Sequence, residues 1–172
     1  MFAQVINGII IQIIQNGQPW TYAGVNYPSN WIQLAGPSDL AELGIVDVVY
    51  GERPNDTYYW VTQLAPVYNA ETNQADINFT STPKDLATVQ VTAVSTVNSC
   101  AYSTLLPSDW MIVRQVETGE TIQPDWNSWR QSVRIVASNT ANAINDSANV
   151  ANVQLTMSTF TFPPSPDQPV GA

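Results

Sequence analysis

Residues 86 to 105 contain no glycine or proline, and within them Leu86, Val89, Ala93, Val97, Ala101 and Leu105 recur at intervals of three or four. Such a repeat lines one side of an α-helix for about five turns and needs a second apolar surface to cover it. The β-branched neighbours oppose a helix only weakly, by less than about 0.7 kcal/mol each, so the sustained period decides. Pro83-Lys84-Asp85 stands in front of the stripe and separates it from a stretch with a different pattern.

In that earlier stretch Val5, Ile6, Ile9, Ile10, Ile11, Ile13 and Ile14 are cut by Gly8 and then by Asn16-Gly17, a dipeptide suited to a tight turn. The reading is a strand, a turn and a short strand through Trp20-Thr21-Tyr22. A second turn follows at Tyr27 to Trp31, and Ser38-Asp39 is placed to cap a short helix that Gly44 stops. Further strands are expected at 45–50, 57–62 and 75–80, where β-branched and aromatic residues gather around the polar turn 51–56. A sandwich, a small barrel and a sheet completed by another chain all fit this pattern.

Downstream, Pro107-Ser108-Asp109 breaks the first long helix and can cap a second, from Trp110 to about Val116, which Thr118-Gly119 ends. Pro124 then suits a helix start, with Trp126, Trp129, Val133, Val136, Thr140, Ile144 and Ala148 on one face to about Val150. From Val153 to Phe162 the alternation of Val153, Leu155 and Met157 reads as a strand, and Pro163-Pro164-Ser165-Pro166 as a polyproline-like end. The expected fold is therefore α+β. Residues 1–84 form a small β-rich N-terminal domain, 85–150 a helical hairpin with a long last helix, and 151–172 an extended strand and Pro-rich tail.

Histidine is absent and Cys100 is the single cysteine of 172 residues, which removes Ser-His-Asp and Cys-His nucleophile systems, His-ligated zinc and an intrachain disulfide. Glu117/Glu120 and Asp47/Glu52 are carboxylate pairs with nothing around them to mark acid and base roles. Asp76-Ile77-Asn78 is too short for a calcium loop, and no glycine-rich phosphate cradle follows a strand. No catalytic residue, cofactor or metal is expected. The net charge of −9, with Lys84 the only lysine, opposes binding to nucleic acid or to an anionic membrane by charge neutralisation. The apolar N-terminus lacks a basic leader region and is interrupted by Asn7, Gly8 and Gln12, so neither a signal peptide nor a span is expected there. Six tryptophans and seven tyrosines could offer sugar-stacking platforms, but packing of these rings is the expectation, with Trp126 and Trp129 in a buried seam.

One stretch carries more than composition. Leu105-Leu106-Pro-Ser-Asp109-Trp110, then Arg114, Glu117 and Gly119, then Pro124 and Trp129-Arg130 with Arg134 one turn later, resembles a motif of tailed-bacteriophage tail proteins. It is similar to tail fibre assembly chaperones and to small tail or fibre-associated structural proteins. The segment Tyr27-Pro28, Trp31-Ile32, Leu43-Gly44-Ile45 and Pro54 to Trp60 resembles a small domain that often precedes it. The resemblance implies a virion tail component made in the bacterial host cytoplasm, or a tail fibre assembly chaperone. It implies partners among fibre or baseplate subunits and a symmetric oligomer. The motif residues Asp109, Trp110, Arg114, Glu117, Trp129, Arg130 and Arg134 would then be packing residues of a helical hairpin. In this reading Asp109 caps the helix starting at Trp110, Arg130 or Arg134 reaches back to Asp109 or Glu117, and a core Trp110 would cost about 3 to 5 kcal/mol to truncate. Chaperones of this type commonly end soon after the second arginine. The extra segment, with Leu155, Met157, Phe160 and Phe162, is read as a strand added to a partner's sheet edge.

Overall fold

The computed structural model describes residues 1–166 and divides the chain into two compact units, Met1–Thr82 and a second from Pro83 onward. The α+β class holds: a β-rich region comes first, followed by helices that include a long one.

The first unit begins with the hairpin β1 (Phe2–Ile6) and β2 (Ile9–Ile14), closed by Asn7 and Gly8 at φ of 52° and 77°. Positive φ at both central residues is the twist-matched turn for two antiparallel strands. The hairpin turn therefore falls at Asn7-Gly8, and Asn16-Gly17 lies in the connection to β3 (Trp20–Tyr22). β3 pairs with β4 (Val25–Tyr27), a strand not anticipated from sequence, across Ala23 and Gly24, which also have positive φ. Two short helices follow, α1 (Trp31–Leu34) and α2 (Pro37–Glu42). In α2, Asp39 sits inside the first turn, and its carboxylate accepts from Gly36 N–H at 3.1 Å.

β5 (Ile45–Tyr50) pairs antiparallel with β1, and β8 (Gln74–Ile77) runs parallel to β5 and antiparallel to β7 (Val67–Asn69). The resulting order is β2-β1-β5-β8-β7, and its two edge strands approach each other, so the sheet curls toward closure. β6 (Tyr59–Gln63) and β9 (Phe79–Pro83) form a separate pair.

Each face of the curled sheet is covered. Ala3, Val5, Val46 and Ala75 pack with Ile10, Ile13, Val48 and Tyr68 on one side, while Ile14, Trp20 and Ile45 meet Tyr27, Trp31, Leu40 and Leu43 on the other. Trp20 stacks on Tyr27 at 4.1 Å, with Trp31 edge-on to both. Gln4 is fully buried in this second layer, and a buried amide needs partners. Its Nε2 donates to Leu43 O at 3.0 Å, and its Oε1 accepts from Gln12 Nε2 at 2.8 Å.

The second unit packs α3 (Leu86–Leu105), α5 (Pro124–Asn145) and α6 (Val150–Thr159) around one core. The stripe Val89, Ala93, Val97 and Ala101 is buried, as are Trp129, Val133, Ala137 and Ile144 of α5. Asp85 caps α3, accepting from the Thr88 hydroxyl and backbone N–H, and these two bonds lower its carboxyl pKa. This stabilisation is complete above the ordinary aspartate range and is lost as pH falls through the lowered folded value. Gln90 Nε2 lies within 3.0 to 3.2 Å of the carbonyls of Ile144, Asn145 and Ser147, which satisfies the end of α5 from the side of α3.

Two expectations are corrected here. The long helix stops at Asn145, short of Val150, and residues from Val150 to Thr159 form a helix where a strand was expected. Asn149 Oδ1 accepts from Asn152 N–H at 2.9 Å, and Val150 and Val153, three apart, are buried. Helix α6 thus pairs its own backbone groups and completes the core, so adding a strand to a partner is unnecessary. The expected tail reached to 172, and its residues 167–172 lie outside the described residues.

Candidate interaction surface

Helix α3 runs through a 3-10 turn (Leu106–Ser108) into α4 (Asp109–Thr118), a connection whose proline lies in the turn. Arg130, only 3% exposed, fastens it. Its Nη1 donates to Leu105 O at 3.1 Å and to Ser108 Oγ, and its Nη2 donates to Asp109 Oδ1 at 2.6 Å. Ser108 is itself buried and donates to Leu105 O at 2.8 Å. A planar guanidinium serves three acceptors at once in a way an ammonium cannot. Asp109 stands within the first turn of α4, where negative charge favours the helix, and its carboxylate faces Arg130. It is therefore not the N-cap expected from sequence, a position that Ser108 occupies without a side-chain bond.

Helix α4 buries none of its residues. Trp110, Val113 and Val116 are 55%, 53% and 81% exposed, and Tyr102 and Leu106 just before them are 63% and 50% exposed. Trp110, Val113 and Val116, three apart, share one side of α4, while Tyr102 belongs to the end of α3 and Leu106 to the 3-10 turn. Trp110 is thus a surface residue, which corrects its placement in the core. Its truncation to alanine should change unfolding free energy by less than about 0.5 kcal/mol in urea denaturation. Removing everything after Val150, by contrast, would uncover a core to which Val153 contributes.

Arg114 Nη2 meets Glu120 at 2.6 Å, an exposed pair of small energetic weight. It borders a cleft of about 300 Å³ lined by Trp110, Met111, Ile122, Gln123 and Trp126. Gly119, with φ of 75°, ends α4 in the left-handed conformation that glycine adopts without strain. Glu117 and Arg134 are exposed and stand outside the Arg130 clamp. Asp47 and Glu52 are likewise exposed.

Trp129 is buried and Trp126 half-buried, edge to face at 5.4 Å. The Trp129 indole N–H donates to Pro163 O at 2.9 Å, which holds the segment after α6 against α5. Phe160 and Phe162 meet edge to face at 4.9 Å and are half-buried, Met157 is half-buried on α6, and Leu155 is 63% exposed. The four tail residues are therefore not one apolar strand face. Among the described residues no three acidic or cysteine side chains gather to hold a metal, and no helix is long and apolar enough to cross a membrane.

Of the reach-back contacts that the resemblance implied, Arg130 to Asp109 is present. Ser108 and the Leu105 carbonyl were missed, although a buried arginine has more donors than one aspartate can satisfy, which could have prompted a search for further acceptors. No protein-family model, curated protein or solved structure matches this chain.

Proposed function

We propose that this chain is a non-enzymatic structural component of a bacteriophage tail, in the baseplate or fibre region, acting through protein–protein contacts. The tail assignment rests on the resemblance carried by residues 105–134. The single observation that supports a contact role is the clamped, uncovered helix α4. None of its ten residues is buried and only Asp109 and Met111 are half-buried, while a buried arginine holds its start. Structure of that kind costs ordering and returns little burial in the free chain, and a partner that covers Tyr102, Leu106, Trp110, Val113 and Val116 supplies the return. The acidic surface, with net charge −9, favours a protein partner over nucleic acid or an anionic membrane.

Mass spectrometry of purified infectious particles beside the whole lysate tests the reading. Recovery in the particle at a fixed ratio to a known tail subunit is the expected result. Abundance in the lysate with none in the particle would overturn it and make the chain a tail fibre assembly chaperone. In the particle assay Trp110→Ala should leave the chain folded and reduce its incorporation.

A further inference from the structure

The tryptophans of this chain serve unequal ends. Trp20 and Trp129 are core residues, whereas Trp110, 55% exposed, and half-buried Trp126 line one cleft between α4 and the start of α5. The cleft offers about 300 Å³, the lower end of the range for small-molecule sites. Its wall is amphipathic, since Arg114, Glu120, Thr121 and Gln123 share it with the two indoles.

Both parts of that wall are held within the chain itself. The Trp126 ring packs edge to face on Trp129 at 5.4 Å, and Trp129 is buried and hydrogen-bonded to Pro163 O. On the polar part Arg114 Nη2 meets Glu120 Oε2 at 2.6 Å, and Thr118 fixes the turn between them. Its hydroxyl donates to Arg114 O at 2.8 Å and accepts from Glu120 N–H at 3.2 Å. Groups already held lose little freedom when a ligand arrives. A guanidinium has five N–H donors and a carboxylate about four acceptor sites, so one contact between them leaves most of both for a ligand.

The charges on the wall cancel. An anion drawn to Arg114 meets Glu120 beside it, and a cation drawn to Glu120 meets Arg114, so neither is favoured. A wholly apolar ligand removes water from the ionic pair and returns no hydrogen bond. A neutral ring with apolar faces and a rim of hydroxyls has neither fault. We propose that this cleft binds a pyranose unit of a saccharide, with the C–H faces of the sugar ring against Trp110 and Trp126. Adjacent sugar hydroxyls then bond to Arg114, Glu120 and the Gln123 amide, planar groups whose paired atoms match hydroxyls on neighbouring carbons.

The site goes beyond the contact role of α4. At about 100° per residue, Trp110, Arg114 and Met111 fall within roughly 100° of the helix circumference, and Val113 and Val116 lie outside that arc. Trp110 stands at the border of both surfaces, and the two valines stay free for a protein partner. Saccharide binding does not rest on the phage assignment, and failure of either leaves the other standing.

Saturation-transfer-difference NMR on the full-length chain is the test, with D-glucose, D-galactose, D-mannose, L-rhamnose, N-acetyl-D-glucosamine and N-acetyl-D-galactosamine as separate probes. Saturable transfer to at least one of them is expected, with a Kd on the order of 1 mM for a single ring. Trp110→Ala should weaken it about tenfold. Glu120→Gln, an exposed change that unbalances the wall, should weaken it several-fold and serves as the second variant if circular dichroism shows Trp110→Ala misfolded. Trp60→Ala removes an indole 67% exposed in the other unit and should change nothing. Sorbitol, with hydroxyls but no ring, should give no saturable transfer, and cyclohexanol, a ring with one hydroxyl, should bind several-fold more weakly than the best sugar. No transfer to any of these sugars, or affinity unchanged in folded Trp110→Ala or in Glu120→Gln, would overturn the proposal. Cyclohexanol binding as tightly as the best sugar would overturn it too, by showing a plain apolar cleft.

Discussion

Replacing Arg130 with methionine is expected to destabilise the protein by about 2 to 4 kcal/mol, since a hydrogen bond from a charged donor contributes about 1.5 to 3 kcal/mol and a buried acceptor is left unpaired. Three acceptors lose a donor together, Leu105 O, Ser108 Oγ and Asp109 Oδ1, of which Leu105 O keeps the Ser108 hydroxyl. Ser108 is buried and cannot recover the bond from water, whereas half-exposed Asp109 can rehydrate, so the hydroxyl carries more of the loss than the ion pair does. Lysine at this position keeps the charge but offers no planar fork, and an intermediate loss is expected. Arg134→Met, on the exposed side of the same helix, is the control and should change stability by less than about 0.5 kcal/mol. Urea denaturation followed by far-ultraviolet circular dichroism measures all three. An Arg130→Met midpoint equal to that of Arg134→Met would refute the clamp.

The comparable change in the β-rich unit is Gly44→Ala, with an expected cost of about 2 to 5 kcal/mol. Gly44 has φ of +64°, which penalises an L-residue by about 1 to 2 kcal/mol. A Cβ there would also run into the Val5 carbonyl, and Val5 cannot retreat, because its own N–H donates to Gly44 O at 2.7 Å and its side chain is in the core. Shifting packed backbone adds about 1 to 3 kcal/mol. Gly44→Asn separates the two causes. Asparagine tolerates positive φ better than alanine does but carries the same Cβ. Equal losses for the two variants identify the collision as dominant, and a milder asparagine variant identifies the dihedral. A Gly44→Ala protein with an unchanged urea midpoint would refute both.

Helices declared by a single uninterrupted period could be read directly. The α3 stripe contains every core residue that helix contributes, and Trp129, Val133 and Ile144 of α5 were equally plain. A change of pattern at Pro83-Lys84-Asp85 was visible because composition and period change together. Residue pairing at longer range was not. Both Asn7-Gly8 and Asn16-Gly17 satisfy the chemistry of a tight turn, and only the pairing of β1 with β2 and β5 selects the first. For α6, alternation at 153, 155 and 157 competed with the helical spacing of Val150 and Val153. The Asn149 cap and the apolar space left between α3 and α5 decided the outcome, and that space belongs to the tertiary fold. Trp110 shows the limit in the opposite sense, since a large apolar ring gives no local sign of whether its surroundings will be core or surface.

The fastenings at the two ends of the α3–α5 pair have a consequence for how this protein can vary. Gln90 grips the end of α5 at Asn145, and Arg130 grips the end of α3 at Leu105. The two spans so defined, 90 to 105 and 130 to 145, are each fifteen residue steps, about 22 Å of helix. The antiparallel rods thus gauge one another. One residue inserted within either span advances a grip by 1.5 Å and turns it by 100°, so its acceptors fall out of reach, whereas matched insertions of whole turns in both rods restore the fit. Length along this part of the chain is a shared property of two distant segments, and the bend that presents α4 is carried at the end of that common measure.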